Sequence, residues 1–420
     1  MDSICGVRST TRSSFRRTAA SLFAGLVVLA GTTVSAQPAA AASTLASIPA
    51  SGFQLKIDRA TDYDAYGAAI RAVENTRTVT RVTPLTVARS KPHVGRPALC
   101  HDTGLDDTYK YDGFCWDTGD DNTSAYSTSG GWHPQGFTAA HDATGSTVDG
   151  HHLYLASWYY GTGADAKDKL GRISIAESTG ERVTYGHVLL VRPTGSGSFE
   201  PITNIHADGM VWYGNKLFVA NGGELLVFDM QYLWSTTAGT DPWVLPLQGR
   251  YYTDAPGTDP RGCSGGVGPI CLGSLSLDRS STPHALVSGE YRSHQAGAGG
   301  RIARWPLNAA TDLPLADDAT SVGTATATAA YSTPVFQMQG VATDGTWYYM
   351  AGECPTSHDA DPTDTGSYSC IHRARAGESP SVLTRAPSLT QNLGYDRSSG
   401  RVWGLNEWTG HRVVFTIDPP

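Results

Sequence analysis

The sequence predicts an all-β chain, a five-bladed β-propeller, and three observations predict it. One short phrase recurs five times, roughly 50 to 75 residues apart. Each copy reads as a few short strands divided by turn residues; such a unit cannot bury its own apolar faces and must pack against further copies. The last copy supplies only three strands before the chain stops, so an N-terminal strand is expected to complete the ring and remove the open edge.

The phrase is clearest over residues 339–353. A small or apolar stretch at Gly340-Val341-Ala342 opens a strand, Asp344-Gly345 turns it, and Trp347-Tyr348-Tyr349-Met350 returns. Other copies start at Gln135-Gly136-Phe137, Asp208-Gly209-Met210, Leu272-Gly273-Ser274 and Leu393-Gly394-Tyr395.

Taken in order, residues 1–42 read as a signal peptide. Arg8, Arg12, Arg16 and Arg17 make a positive region and 19–30 an apolar one, with small-residue cleavage sites after Ala36 or Ala42. The apolar run falls short of the ~20 residues a membrane span needs, so membrane insertion is not expected. Residues 43–132 form an N-terminal segment. Within it, 62–75 has a helical stripe of Tyr66, Ile70 and Val73. Residues 78–88 alternate like an edge strand carrying Pro84, the expected closing strand, and 100–131 read as a long ordered loop. The propeller then runs over 133–420. Strands are expected near 136–141, 151–158, 171–176 and 185–192; near 208–213, 216–221, 224–229 and 244–252; and near 273–278, 284–290, 301–306 and 321–331. The fourth and fifth copies give 338–343, 347–353, 369–375 and 381–385, then 392–396, 401–407 and 412–417. Six blades is the alternative count, if 80–132 hides a degenerate copy.

Removing the leader takes four Arg and one Asp, a net +3, so −8 becomes −11. That acidity argues against nucleic acid and anionic membranes as partners. Cys5 leaves with the leader, and six cysteines remain as near neighbours: Cys100 with Cys115, Cys263 with Cys271, Cys354 with Cys370. Six allow fifteen pairings. Without Cys-x-x-Cys spacing, loop-clipping disulfides in an oxidising compartment are the expectation, and the protein is expected to be secreted and extracellular.

Ligands of repeat rings bind where strands from every copy converge. The returning strands end in Gly289-Glu290-Tyr291, Gly352-Glu353-Cys354 and Asn406-Glu407-Trp408, with Ser157-Trp158 in the same register. Glu290, Tyr291, Glu353, Glu407, Trp408, Trp158 and Gln339 are therefore the candidate ligand-binding residues at one channel mouth. Aromatic faces and carboxylates together suit sugars. Paired glutamates also suit glycoside hydrolysis, the enzymatic alternative, although blade repetition alone would produce the same arrangement. Asp359, Asp361 and Asp364 alternate before Gly366 like a calcium loop, but lack its terminal Glu; Asp117, Asp120 and Asp121 form a weaker carboxylate group. His141, His151, His152 and His206 lack metal-motif spacing. Thr138-Ala139-Ala140-His141 and Cys263-Ser264-Gly265-Gly266 look like protease loops, but Cys263 stands where the Asp is required.

The leader, the phrase Ile205-His206-Ala207-Asp208-Gly209-Met210-Val211-Trp212-Tyr213 and Gln339-Gly340-Val341-Ala342 resemble a group of secreted β-propeller proteins of high-GC Gram-positive (actinobacterial) type. The resemblance covers roughly residues 130–418 and implies the fold; it brings no catalytic residues. The function expected is lectin-like recognition of an extracellular glycan without catalysis. A carbohydrate-active enzyme, or a scaffold that binds an extracellular protein, are the alternatives.

Overall fold

The computed structural model describes residues 43–90, 93–163, 170–237, 242–255, 268–293, 299–355, 357–358 and 368–420. The leader, Cys263, Ser264, Asp359, Asp361 and Asp364 lie outside these residues. Among the described residues the fold is all-β and propeller-like. Five antiparallel meanders, referred to below as sheets, follow one another along the described chain; hydrogen bonds join the first, second and fifth into one 16-stranded sheet, with Val244–Pro246 parallel to Leu189–Val191. The first comprises Gly131–Ala139, Leu153–Gly161, Gly171–Ser178 and Val183–Pro193. The second comprises Gly209–Tyr213, Lys216–Asn221, Glu224–Asp229 and Trp243–Tyr252. The third comprises Ser276–Asp278, Ala285–Gly289, Arg301–Asn308 and Ala329–Ser332. The fourth comprises Gly340–Thr343, Tyr348–Glu353, Ser369–Ala374 and Ser381–Ala386. The fifth comprises Thr390–Asp396, Arg401–Asn406 and Val413–Ile417.

The strand that pairs with Val413–Ile417 is Tyr111–Cys115, with Phe415 opposite Gly113. This corrects the expectation of a closing strand within 78–88. That stretch splits instead: Val79–Arg81 pairs with Trp234–Thr236, and Pro84–Arg89 forms a helix, α2. Proline at the first helical position costs no hydrogen bond, and the Thr83 hydroxyl caps the turn by accepting from Thr86 N. The 43–132 segment is thus threaded into the sheets rather than set apart. Ala46–Ile48 also adds to the third sheet, beside Ala329–Ser332. The expected helix is present as α1, Ala65–Asn75, with Ile70 and Val73 buried against Val191, Trp234 and Val244.

The first strands of the five sheets neighbour one another in sequence order, and Thr390–Asp396 returns to Gly131–Ala139, closing the cycle. Recurring glycines permit this approach. A Cβ on Gly209 would stand 2.1 Å from Leu275 N, and one on Gly340 2.3 Å from the Gln391 carbonyl oxygen, so backbones meet where a side chain cannot fit. Asn392, fully buried, reaches across from the fifth sheet: its Nδ2 donates to Phe137 O and Leu275 O, each at 2.8 Å, and its Oδ1 accepts from Leu275 N at 3.0 Å.

The core lies between consecutive sheets. Leu155, Ile175 and Val188 meet Met210, Leu217 and Leu226; Phe218 and Val227 meet Leu286 and Trp305. Val287 and Ile302 meet Val341 and Met350, and Tyr349 and Ile371 meet Val402 and Phe415. Val414, Leu405 and Phe114 then pack on Phe137 and Trp158. Each such side chain contributes about 1.5–3 kcal/mol of transfer energy on burial. Disulfides join Cys100 to Cys115 and Cys354 to Cys370, as expected from their spacing. Cys271 is disulfide-bonded too. Among the described residues, no helix is long and apolar enough to cross a membrane.

Candidate functional site

The starts of the first strands and the ends of the second strands meet at one end of the sheets, and the fifth, first and second sheets build a buried polar cluster there. Glu407 follows the second strand of the fifth sheet, and Arg412 braces its backbone. That guanidinium is fully buried, donates from Nε to the Glu407 carbonyl at 3.0 Å, and donates from an Nη to the Asp120 carbonyl at 2.6 Å. The first strand of the first sheet brings Gln135, whose Nε2 donates to Glu407 Oε2, and His133, whose Nδ1 lies 3.6 Å from the same oxygen. An irregularity between Pro134 and Phe137 interrupts the regular alternation at Gln135.

The second sheet adds His206 and Asp208. Asn221 Oδ1 accepts from His206 N at 2.8 Å, His206 Nδ1 bonds Asp208 Oδ1, and Gly222 N donates to Asp208 Oδ2 at 3.2 Å. Aromatic rings wall the cluster. Tyr159 stacks on His206 with centroids 4.4 Å apart, and Tyr126, half exposed, stands edge-on to His133 at 5.0 Å. The two tyrosine hydroxyls are 3.3 Å apart.

Charge is distributed unevenly here. Burial pushes the Glu407 carboxyl up, but His133, His206 and Gln135 outweigh it and hold the carboxyl below its ordinary value. Burial pushes His133 the other way, below the usual imidazole value. At neutral pH the pair is an ionised carboxylate beside a neutral imidazole. His133 Nδ1 and Gln391 Nε2 are buried and make no hydrogen bond within the protein.

Of the residues expected from sequence, Glu407 stands in this cluster and Trp408 follows it, half-buried. Glu290 does not present a ligand face. It is fully buried, and Arg301 donates to both carboxylate oxygens at 2.7 Å. Trp158 is fully buried too, edge-on to Trp116 at 5.0 Å with Arg172 over its other side, which makes it core. Glu353 is exposed at its strand end, while Tyr291 and Gln339 are half-buried. The Asp359, Asp361 and Asp364 loop falls outside the described residues. His133, Gln135 and Tyr126 were not among the sequence candidates; only the recurrence of Gln135-Gly136 with Gln339-Gly340 pointed toward them.

No family model and no curated protein matches the chain. Among solved structures it is similar to a gluconolactonase of Xanthomonas campestris over 81% of this chain and 100% of that one, at 9% identity and TM-score 0.31. Pseudomonas fluorescens PhoX, in complex with vanadate, is similar over 78% and 98%, at 8% identity and TM-score 0.36. Bacillus subtilis levansucrase is similar over 69% and 82%, at 10% identity and TM-score 0.32. At these TM-scores none of them brings a residue role to this chain.

Proposed function

We propose that the chain is a secreted five-bladed propeller, its last blade completed by Tyr111–Cys115, that binds an extracellular glycan at the Glu407 cluster without altering it. The observation that carries this reading is the Glu407–Gln135–His133 group, with an unbonded buried imidazole nitrogen beside an ionised carboxylate and tyrosine faces around it. Sugar hydroxyls both donate and accept, so they satisfy a carboxylate and an imidazole at once, while ring CH faces lie on tyrosine.

Binding is favoured over hydrolysis by the protonation states. Hydrolysis of a glycosidic bond calls for a carboxylic acid of raised pKa close to a second carboxylate. Glu407 is shifted the opposite way, and Glu290 is closed off by Arg301. A buried carboxyl raised by its surroundings, Asp142, follows the far end of the strand that begins beside His133. A glycan-array screen of the disulfide-intact mature chain, followed by calorimetry on each hit, tests the proposal. Binding that Gln135→Ala weakens at least tenfold, with no sugar released, is expected. Release of product, or an array without hits, overturns it; in the latter case co-purification of a protein from culture supernatant favours the scaffold alternative.

A further inference from the structure

A second cluster gathers side chains from three distant parts of the chain, and Arg412, which braces Glu407, also donates to the carbonyl of its Asp120. The strand His93–Pro97 pairs with the outer strand of the first sheet, setting His93 opposite Tyr185. His187 is two residues further along that outer strand and therefore on the same face, its ring 4.6 Å from that of His93. The short helix Thr118–Asn122, α3, lays Asp120 between them. His187 Nε2 is 3.0 Å from Asp120 Oδ2, and His93 Nδ1 is 3.6 Å from the same oxygen.

We propose that His93, Asp120 and His187 bind one divalent transition-metal ion of the zinc type. Ligand atoms of the three residues all lie within 4.8 Å of one another. Donors ~2.1 Å from a tetrahedral ion stand roughly 3.4 Å apart, so shifts of about an ångström close the site. Two imidazole nitrogens and one carboxylate oxygen select zinc, cobalt or iron over calcium and magnesium, which take oxygen.

The surroundings hold these ligands as outer partners do in metal sites. Ser174 Oγ lies 2.9 Å from His187 Nδ1 and leaves Nε2 turned to Asp120. Tyr185 donates to Asp120 Oδ2 at 2.7 Å, and Arg172 donates to the other oxygen, Oδ1, at 2.6 Å. Asp117 Oδ2 stands 2.6 Å from His93 Nδ1 and supplies a further carboxylate at the open side, where His93 is partly exposed. Asp120 itself is buried, so an ion reaching it from the His93 side loses most of its water.

Metal titration of the EDTA-stripped, oxidised chain tests this. Oxidation matters because Cys100, His101 and Cys115 also lie together, and an intact disulfide keeps those sulfurs from binding metal. Cobalt(II) is expected to bind one equivalent with visible d–d absorption, and zinc to displace it, while calcium does not. His93→Ala removes a partly exposed ligand at little cost to folding. It should weaken zinc by more than the roughly 10–100-fold that loss of an outer partner costs. Asp120→Asn should do the same in a chain of unchanged circular dichroism. Absence of the cobalt absorption, or zinc binding that His93→Ala leaves unchanged, overturns the proposal.

Discussion

Asn392→Leu keeps roughly the side-chain size and removes every polar atom from it. Three hydrogen bonds disappear: two to carbonyls, on Phe137 and Leu275, and one from Leu275 N. Each is worth about 1 kcal/mol net, and a buried donor left without a partner costs a further 1–3 kcal/mol, which gives about 4–6 kcal/mol in total. Unfolding entropy is about 2.1 cal/mol/K per residue, or about 0.8 kcal/mol/K for the roughly 380 residues from Ser43 onward. The melting temperature should therefore fall by about 5–8 °C. Scanning calorimetry at neutral pH measures it, and Asn392→Asp, which keeps the acceptor but buries a charge, should lose at least as much. A shift below about 1 °C in Asn392→Leu would refute the idea that this amide ties the first, third and fifth sheets together.

Three further outcomes are expected. Glu290→Gln should cost roughly 3–5 kcal/mol in urea unfolding, because it strands the buried Arg301 guanidinium, and should leave ligand affinity unchanged. An effect on affinity alone would put Glu290 back in the site. Replacing Cys100 and Cys115 together by Ser should cost about 3 kcal/mol by the same assay, since the bridge closes a loop of 15 residues; a loss under about 1 kcal/mol would contradict it. Burial and Arg172, opposed by Asp120, lower His187 to about 4 from 6.5. The unfolded chain therefore takes up this proton first, and stability should fall as pH drops from about 6.5 to about 4, by about 3 kcal/mol. Calorimetry in EDTA against His187→Gln checks this, and an equally steep acid loss in the variant would exclude His187 as its source.

Strand positions in the five sheets were legible because alternation and the glycine-led phrase are both local. The third sheet shows where that ends: its fourth strand in the meander is only Ala329–Ser332, while Ala325–Thr326, in the same Thr/Ala-rich run, pairs with Gln54–Leu55. The strand Tyr111–Cys115 was hidden by its composition. Asp112 and Gly113 read as loop, yet Gly113 is needed because a Cβ there would stand 2.1 Å from the Val414 carbonyl oxygen. Residues 78–88 misled in the opposite sense: β-like alternation yielded to Pro84 and the Thr83 cap. Repeat alignment found Glu407 but could not separate it from Glu290, because the difference is Arg301 on the next strand. His93, Asp120 and His187 have no spacing signal at all; only the pairing of His93–Pro97 with the first sheet brings them together.

Phe415 and its partner Gly113 are about 300 residues apart in sequence. Such a distant meeting is slow to find and cannot precede synthesis of the C-terminal residues. Until it happens, Val413–Ile417 offers bare amides and carbonyls to any other chain. A product truncated before Val413 leaves Arg401–Asn406 and Tyr111–Cys115 each with a bare edge and should accordingly aggregate rather than persist in a folded form.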